Sequence, residues 1–321
     1  MSSLSRRSFV QSTAFAAALG LSARLHVPQA QAGMISEPDM GFHSYKVGEV
    51  TVTALYDGHW KKPHDPVFIK NASIEETKAA LAKAGFTTEF VTIPLTVIVL
   101  TIGERHVMVD SGSGAQWQPT AGQLHANMKA AGIDPARIGT ILISHFHPDH
   151  IFGLMEKGND EPVFPNAEII VSSAEYAWWT EPGRVDKLPQ ARQALGKRIN
   201  KVFPHWANFT LIAGEKEIVP GIHLLNAPGH TAGHSVFLVS SGGQQLMVSN
   251  DMAYVPALLA PHPEWQGAYD QDGPLAVATR RRLIDRVIAD KMLVCGAHFP
   301  FPGAGSFVKD GAAYAYLPVT A

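Results

Sequence analysis

Cysteine is almost absent from this 321-residue chain, which contains only Cys295. No disulfide bond can therefore form within the chain. Cys295 ends the hydrophobic run 292–295, which predicts a strand. We expect it to be a buried structural thiol rather than a catalytic nucleophile.

Charge is also scarce. Charged residues make up 17% of the sequence, the formal net charge is −2, and there is no long basic run. Proteins that bind nucleic acids usually carry a concentrated basic surface. We therefore expect no nucleic-acid partner.

No apolar run is long enough for a membrane-spanning helix, which needs about 20 residues. Near the N-terminus, Arg6 and Arg7 precede a short apolar stretch, 14–21, and small residues follow at 30–32. This order is typical of a cleaved twin-arginine export signal. We expect residues 1–32 to be removed and the mature protein to be periplasmic or secreted, with no membrane anchor. A tail with two incidental arginines is the alternative.

Hydrophobic residues are plentiful, at 46%, and no linker divides residues 33–321, so we expect a single domain there. Strand and helix patterns alternate in both halves, which favours an α/β fold with sheets inside and helices outside. The Arg280–Arg282 run in the last helix is interpreted as a solvent-exposed face. The predicted strands lie at 46–57, 93–102, 106–109, 138–144, 167–171, 217–219, 222–226, 235–239, 246–249 and 292–295, and the predicted helices at 73–85, 120–131, 174–180, 185–207 and 275–289.

A predicted strand leads directly into a cluster of four potential metal ligands: His145, His147, Asp149 and His150. Side chains two residues apart on an extended strand end point the same way, so the first two histidines can reach one ion. Pro148 then bends the chain, so the other two can turn toward a second point nearby. Imidazoles with a carboxylate suit zinc or a related divalent ion.

Three further strand ends carry a histidine or an aspartate: His230, Asp251 and His298. On its own, a histidine or an aspartate after a strand is more often a packed or solvated residue than a metal ligand. Together with the cluster they supply seven ligands, which suits two metal ions. His234, four residues after His230, is interpreted as a structural residue or one that supports a ligand.

The pattern HxHxDH at 145–150 resembles that of the metallo-β-lactamase-fold hydrolases, and APGHTAGH (227–234), NDMAY (250–254) and GAH (296–298) follow in the same order. The resemblance implies an αβ/βα four-layer sandwich, with two central mixed β-sheets and helices on the outer faces. It also implies two divalent ions. Zinc is the expected metal, and manganese, cobalt or iron are the alternatives.

The same resemblance implies how the ions are held. His145, His147 and His230 would bind one ion, and Asp149, His150 and His298 the other. Asp251 would bridge the two ions together with a hydroxide derived from water.

Within that superfamily the chain resembles the exported methyl parathion hydrolase-like group and related lactonases, at 41–58, 164–179 and 298–319. We therefore expect a hydrolase of esters, either lactones or aryl esters, that acts through a metal-bridging hydroxide on a small-molecule substrate. The alternative activity is hydrolysis of organophosphate triesters. The non-enzymatic alternative is a metal-binding protein with a vestigial site. A homodimer is possible.

The expected catalytic residues are Asp149, Asp251 and Tyr254. Related lactonases carry a tyrosine at the position of Tyr254 that can donate a hydrogen bond to the substrate; a core tyrosine is the alternative. At most one of the adjacent Trp178 and Trp179 is expected to line the substrate pocket, because neighbouring helical residues do not share a face. Substrate choice is expected to lie in the loops 60–68 and 254–269.

Overall fold

The computed structural model describes residues 40–319, and the predicted export signal, residues 1–32, lies outside them. The strands form two seven-stranded sheets, one from each half of the chain, with the strands of each sheet in sequence order. The first contains β1 (Phe42–Val47), β2 (Val50–Pro63), β3 (Phe90–Ile102), β4 (Arg105–Val109), β5 (Ile138–Ile143), β6 (Glu168–Ser172) and β7 (Phe209–Ile212). The second contains β8 (Lys216–Val219), β9 (Ile222–Asn226), β10 (Ser235–Ser241), β11 (Gln244–Val248), β12 (Leu293–Cys295), β13 (Ala304–Asp310) and β14 (Ala313–Pro318).

Both sheets are mixed. Strands β4 to β7 run parallel to one another, whereas β1 to β4 are joined by antiparallel pairs. In the second sheet only β11 and β12 pair in parallel. The carboxyl ends of parallel strands meet at one edge, which places their following loops together.

Eight α-helices accompany the sheets within residues 40–319, and none of them has both the length and the apolar composition needed to cross a membrane. They are α1 (Ile74–Lys83), α2 (Leu124–Ala130), α3 (Pro148–Ile151), α4 (Ser173–Thr180), α5 (Arg184–Lys187), α6 (Gln190–Val202), α7 (Pro256–Leu259) and α8 (Gly273–Ala289).

Three buried clusters show how the layers stack. On β5, Leu142 packs between the two sheets with Phe237, whereas Ile141 and Ile143 face the cluster that contains α2, α4 and α6. Alternate strand residues point to opposite faces, so each sheet is covered on both sides. Residues of α8, such as Leu283, cover the outer face of the second sheet. The expected order of helix, sheet, sheet and helix is confirmed.

The element boundaries differ from the sequence prediction in several places. The predicted strand 46–57 is part of a hairpin of β1 and β2, because Gly48 (φ +56°) turns the chain. The predicted helix 185–207 is divided at Pro189 into α5 and α6, and the predicted helix 120–131 starts only at Leu124. Strands β7, β13 and β14 were not predicted. The capping box at Ser73 and Glu76 is present as expected.

Candidate metal centre

Four loops at strand ends bring the seven predicted ligands together. The loop after β5 carries four of them, and the loops after β9, β11 and β12 carry one each. The ligand atoms form two groups, and within each group they lie no more than 4.8 Å apart. One group is His145, His147, His230 and Asp251, and the other is Asp149, His150 and His298.

Asp251 belongs to the first group but also contacts the second. Its Oδ2 is 3.2 Å from Nε2 of His230 in one group and 3.3 Å from Nε2 of His298 in the other. Its Oδ1 is 3.3 Å from Nε2 of His150. The carboxylate can therefore contact ligands of both groups at once, which is what a bridging residue requires.

Hydrogen bonds on the outer side of the rings fix the direction of three histidines. A carboxylate or carbonyl oxygen holds Nδ1 and so turns Nε2 toward the centre, an arrangement typical of metal-binding histidines. The pairs are His150 with Asp110 (2.8 Å), His230 with Asp270 (3.0 Å) and His298 with the backbone oxygen of Pro94 (2.8 Å).

Nε2 of His150 and Oδ1 of Asp251 lie 3.3 Å apart in the interior, but neither forms a hydrogen bond with any residue in 40–319. Buried polar atoms are nearly always paired, because leaving one unpaired costs about 1–3 kcal/mol. A divalent cation accepts lone pairs from both atom types. The residues present therefore fit a metal centre.

Asp251, His145 and His147 are held in the forms that bind metals, whereas the neighbouring carboxylates, Asp251 first, outweigh burial and raise the pKa of the other three ligand histidines. Burial raises the pKa of Asp251, but His298, His150 and His145 together hold it well below its usual range. Burial and the neighbouring histidines lower the pKa of His145 and of His147 well below the usual value, so both are neutral. Neutral imidazole and ionised carboxylate are the forms that bind metals.

His234 belongs to neither ligand group. Its Nδ1 donates a hydrogen bond to the backbone oxygen of Ala227 (3.1 Å), and its Nε2 accepts one from the backbone N–H of Asp251 (3.3 Å). Burial, with His230 nearby, lowers the pKa of His234 to about 3, so the ring is neutral and can accept. It supports the position of Asp251, in agreement with the interpretation from sequence.

A comparison with models of protein families shows to which superfamily the chain belongs. The model of the metallo-beta-lactamase superfamily matches residues 93–298, which include all seven ligands. The chain belongs to the metallo-β-lactamase superfamily. An N-acyl homoserine lactonase of a Bacillus species is 28% identical over 172 residues. The alignment covers 53% of this chain and 60% of that relative, so the chain spans less than two thirds of its length.

Two solved structures are similar to this superfamily member over most of their length. AidC, a dizinc quorum-quenching lactonase in complex with a product, has a TM-score of 0.78 at 26% identity, over 87% of this chain and 98% of its own. The hydrolase AbOPH has a TM-score of 0.79 at 27% identity, over 88% of this chain and 99% of its own. Together with the two ligand groups, the dizinc relative supports a centre for two divalent metal ions.

Tyr254 lies beside the metal centre and is fully buried. Its ring centroid is 5.6 Å from that of His230, and its hydroxyl has no hydrogen-bond partner among residues 40–319. The hydroxyl occupies the space beside Gly267, only 1.4 Å from where a Cβ on that glycine would lie. The position is compatible with the predicted catalytic role and with the structural alternative, and the role stays a prediction.

The interpretation of Arg280–Arg282 as a solvent-exposed face is wrong for its first residue. Arg280 is 1% exposed, and its guanidinium donates hydrogen bonds to the backbone oxygens of Met252, Pro263 and Trp265 (2.8–3.0 Å). It also lies 3.5 Å from Asp270, the acceptor behind His230. Arg280 lies one or two helical turns before the core residues 283, 284 and 287, so it falls on the same buried face of α8. The helical periodicity of the sequence therefore contained the signal for its burial.

Glu175, on α4, is a second buried residue that the sequence prediction missed. Its Oε1 accepts hydrogen bonds from the backbone N–H of Phe146 (3.0 Å) and from Nε1 of Trp179 (2.8 Å). Its Oε2 accepts from Thr231 Oγ1 (2.6 Å) and from the backbone N–H of Gly233 (2.9 Å). Glu175 thus joins the loop after β5 to the loop after β9. Trp179, fully buried, is part of this network rather than of a pocket.

The two loops expected to govern substrate choice lie against each other. The backbone N–H of Lys70 donates to the oxygen of Gln266 (2.7 Å), and that of Ala268 donates to the oxygen of Phe68 (2.9 Å). The ring of Trp60 lies 5.6 Å from that of Tyr269. Sequence reasoning named both loops, but their contact depends on the docking of the two sheets.

Proposed function

We propose that this protein is a metal-dependent hydrolase of ester bonds whose substrates are lactones or aryl esters. The observation that carries the proposal is the pair of adjacent ligand groups, both of which Asp251 contacts. Paired divalent ions are used for hydrolysis in many enzymes. The relatives named N-acyl homoserine lactonase and the lactonase AidC support the lactone part of the proposal.

We propose zinc as the metal. A mixed set of imidazole nitrogens and carboxylate oxygens suits zinc, although manganese, cobalt and iron also bind such sets. The dizinc description of AidC supports this choice. When bound, zinc acts as a Lewis acid and lowers the pKa of a coordinated water to about 7.

The exposure of the ligands indicates where a substrate enters. His145 and His150 are shielded from solvent, whereas His147, Asp149, Asp251 and His298 keep a small exposed fraction. The open side of the centre is therefore the side of these four residues. A reacting ester would approach the centre from there.

Tyr254 is the proposed hydrogen-bond donor to the substrate. Burial, with the charge of Asp270 nearby, raises the pKa of its hydroxyl well above the usual value. The hydroxyl therefore keeps its proton at neutral pH and can donate to a carbonyl oxygen on which negative charge develops. Asp149 and Asp251, the other proposed catalytic residues, would bind the ions, and Asp251 lies within reach of both ligand groups.

We also propose that the chain is exported by the twin-arginine route, as Arg6 and Arg7 and the small residues at 30–32 indicate. Replacement of both arginines by lysine should retain the protein in the cytoplasm with its first 32 residues attached. Export and cleavage that persist in this variant would contradict the proposal.

The function is tested by measuring turnover on one zinc-loaded preparation with a homoserine lactone, phenyl acetate and a phosphotriester. We expect hydrolysis of the lactone or of the aryl ester, and turnover that disappears with a chelator and returns with zinc. Preferential cleavage of the phosphotriester would make the organophosphate alternative the correct one. No ester turnover by protein with two bound equivalents of zinc would overturn the proposal.

A further inference from the structure

Gly267, in the segment between α7 and α8, is a buried glycine whose backbone does not require glycine. Its φ lies outside the range +20° to +160°, in which residues with a side chain are strained. Space excludes a side chain instead. A Cβ at this position would lie 1.4 Å from the hydroxyl oxygen of Tyr254 and 2.5 Å and 3.1 Å from two of its ring carbons. Apart from the two chain neighbours of Gly267, these are the three nearest heavy atoms, so Tyr254 is the first group that a side chain would meet.

The backbone at Gly267 is held on two sides. The residues before and after it form backbone hydrogen bonds with the loop 68–70, at 2.7 and 2.9 Å. The N–H of Gly267 donates to Oδ2 of Asp270 (3.0 Å), and its oxygen accepts from the backbone N–H of Asp270 (3.2 Å). A side chain at position 267 would therefore displace the ring of Tyr254 rather than the backbone.

The carboxylate of Asp270 also connects Gly267 to the metal centre. Its Oδ1 lies 3.0 Å from Nδ1 of His230, while its Oδ2 holds the N–H of Gly267. The ring of Tyr254 lies 5.6 Å from the ring of His230, measured between centroids. Two hydrogen bonds to one carboxylate thus fix Gly267 relative to His230, and the hydroxyl of Tyr254 fills the space that the glycine leaves.

Packing alone does not account for the hydroxyl of Tyr254. It is buried and forms no hydrogen bond with any residue in 40–319. An unpaired buried polar atom is costly, and a phenylalanine ring would fill the same space without that cost. A donor without a protein partner is what the proposed role of Tyr254 requires, because its hydrogen bond would form only with a substrate.

We propose that Gly267 is a positioning residue for Tyr254. Because it has no side chain, it leaves the space that holds the hydroxyl, and it thereby sets the orientation of the ring beside His230. This inference rests on the proposed function, in which Tyr254 donates a hydrogen bond to the substrate. Gly267 itself would act only through the tyrosine.

The kinetic test compares Gly267→Ala in the wild-type and Tyr254→Phe backgrounds, with phenyl acetate and a homoserine lactone as substrates. In the wild type, Gly267→Ala should lower kcat about 10-fold and change KM less than about 2-fold, as expected when a hydrogen bond of the transition state is lost. In Tyr254→Phe the same change should alter kcat less than about 2-fold, because the hydroxyl is already absent. Zinc content should stay at two equivalents, since Asp270 holds the backbone at 267 and not a side chain.

The stability test needs no turnover. Gly267→Ala should lower Tm by about 3 °C or more, because it overfills a packed site. In Tyr254→Leu, whose side chain lacks all three atoms that the new methyl group would meet, the same change should lower Tm by less than about 1 °C. If Gly267→Ala alone does not fold, the double variant should still do so.

The matched control is Gly139→Ala, on β5. The φ of Gly139 is also outside the left-handed range, and no atom lies within 4 Å of an added Cβ there. This substitution should leave kcat and zinc content unchanged.

Unchanged kcat in Gly267→Ala would overturn the proposal, as would a further 10-fold loss when the change is added to Tyr254→Phe. Equal losses of Tm with Tyr254 and with leucine at that position would place the clash elsewhere and would also overturn it. If the wild type hydrolyses no ester, the proposed function fails, and the comparison of Tm values still decides whether Gly267 holds the place of Tyr254.

Discussion

The guanidinium of Arg280 and the carboxylate of Asp270 lie 3.5 Å apart in the protein interior, directly behind the predicted ligand His230. Arg280 also donates a hydrogen bond to the backbone oxygen of Met252, the residue after Asp251. One arginine therefore contacts the surroundings of two ligands that come from different loops.

Replacement of Arg280 by methionine should lower the free energy of unfolding by about 3–5 kcal/mol, because the buried charge of Asp270 would lose the guanidinium beside it. Zinc affinity should fall as well, since the support of His230 changes. Denaturant unfolding and competition with a chelator measure the two effects. Arg281→Gln, at the next position and only partly buried, is the control and should stay within about 0.5 kcal/mol of wild type. Equal effects of the two substitutions would contradict the role of Arg280.

Asp251→Ala should reduce zinc content and activity together, because its carboxylate lies within 3.3 Å of histidines in both ligand groups. We expect the bound zinc to fall from two equivalents to one or fewer. Elemental analysis of the purified variant gives the zinc content, and Asp310→Ala, on an exposed strand end, serves as the control. Unchanged zinc content would mean that Asp251 does not bridge the two groups.

Tyr254→Phe should lower kcat for lactones and aryl esters about 10-fold or more, the effect expected when one hydrogen bond in the transition state is lost. The hydroxyl has no hydrogen-bond partner among residues 40–319, so its removal should leave the fold intact. Steady-state kinetics and thermal unfolding of the same preparation check both parts. If kcat is unchanged for several substrates, Tyr254 is a structural residue.

Glu175→Gln should destabilise the protein by about 2–5 kcal/mol. Each carboxylate oxygen of Glu175 accepts two hydrogen bonds, and an amide nitrogen in place of one oxygen would leave two buried donors unpaired. Denaturant unfolding of this variant is compared with that of Glu104→Gln, which changes an exposed turn. A loss below 1 kcal/mol would show that the network tolerates the amide.

The buried thiol of Cys295 leads to a prediction about how thiol labelling and stability depend on pH. Burial raises the pKa of its thiol from 9.0 to about 12, so the thiol stays protonated in the folded protein at pH 9. A thiol alkylating reagent should therefore label the native protein slowly at that pH and the unfolded protein quickly. Because the folded state holds this proton more tightly, the contribution of Cys295 to stability is complete below pH 9 and is lost between pH 9 and about 12. Fast labelling of native protein at pH 9 would contradict this.

The sequence predicted the chemistry of the centre because its ligands follow strands directly. His145, Asp251 and His298 each come after a short hydrophobic run, and strand ends are recognisable in a single sequence. Apart from His234, the residues that support the ligands could not be found in this way. Asp110 and Asp270 reach His150 and His230 across 40 residues of sequence, so their roles depend on the tertiary fold. Arg280 is different, since its helical spacing did contain the signal.

Like the metal centre, the fold could be predicted only in part from the sequence. Long β-rich runs such as β3 were recognised, whereas the four-residue β7 and the C-terminal strands β13 and β14 were missed. The division between α5 and α6 depends on Pro189, which a continuous helical pattern concealed. The order of the layers followed from the family resemblance and not from the pattern of strands and helices alone.

The ligand loops belong to both halves of the chain, with the loop after β5 in the first sheet and the other three in the second. His147 and His230, whose ring nitrogens lie 3.0 Å apart, are separated by 83 positions in sequence. A cation held by both would act as a crosslink between the halves, and it would restrict the chain as the closure of a long loop does. Removal of the metal should therefore first weaken the packing between the two sheets. Hydrogen exchange should rise at the strands that face each other, such as β5 and β10, before either sheet loses its own pairing.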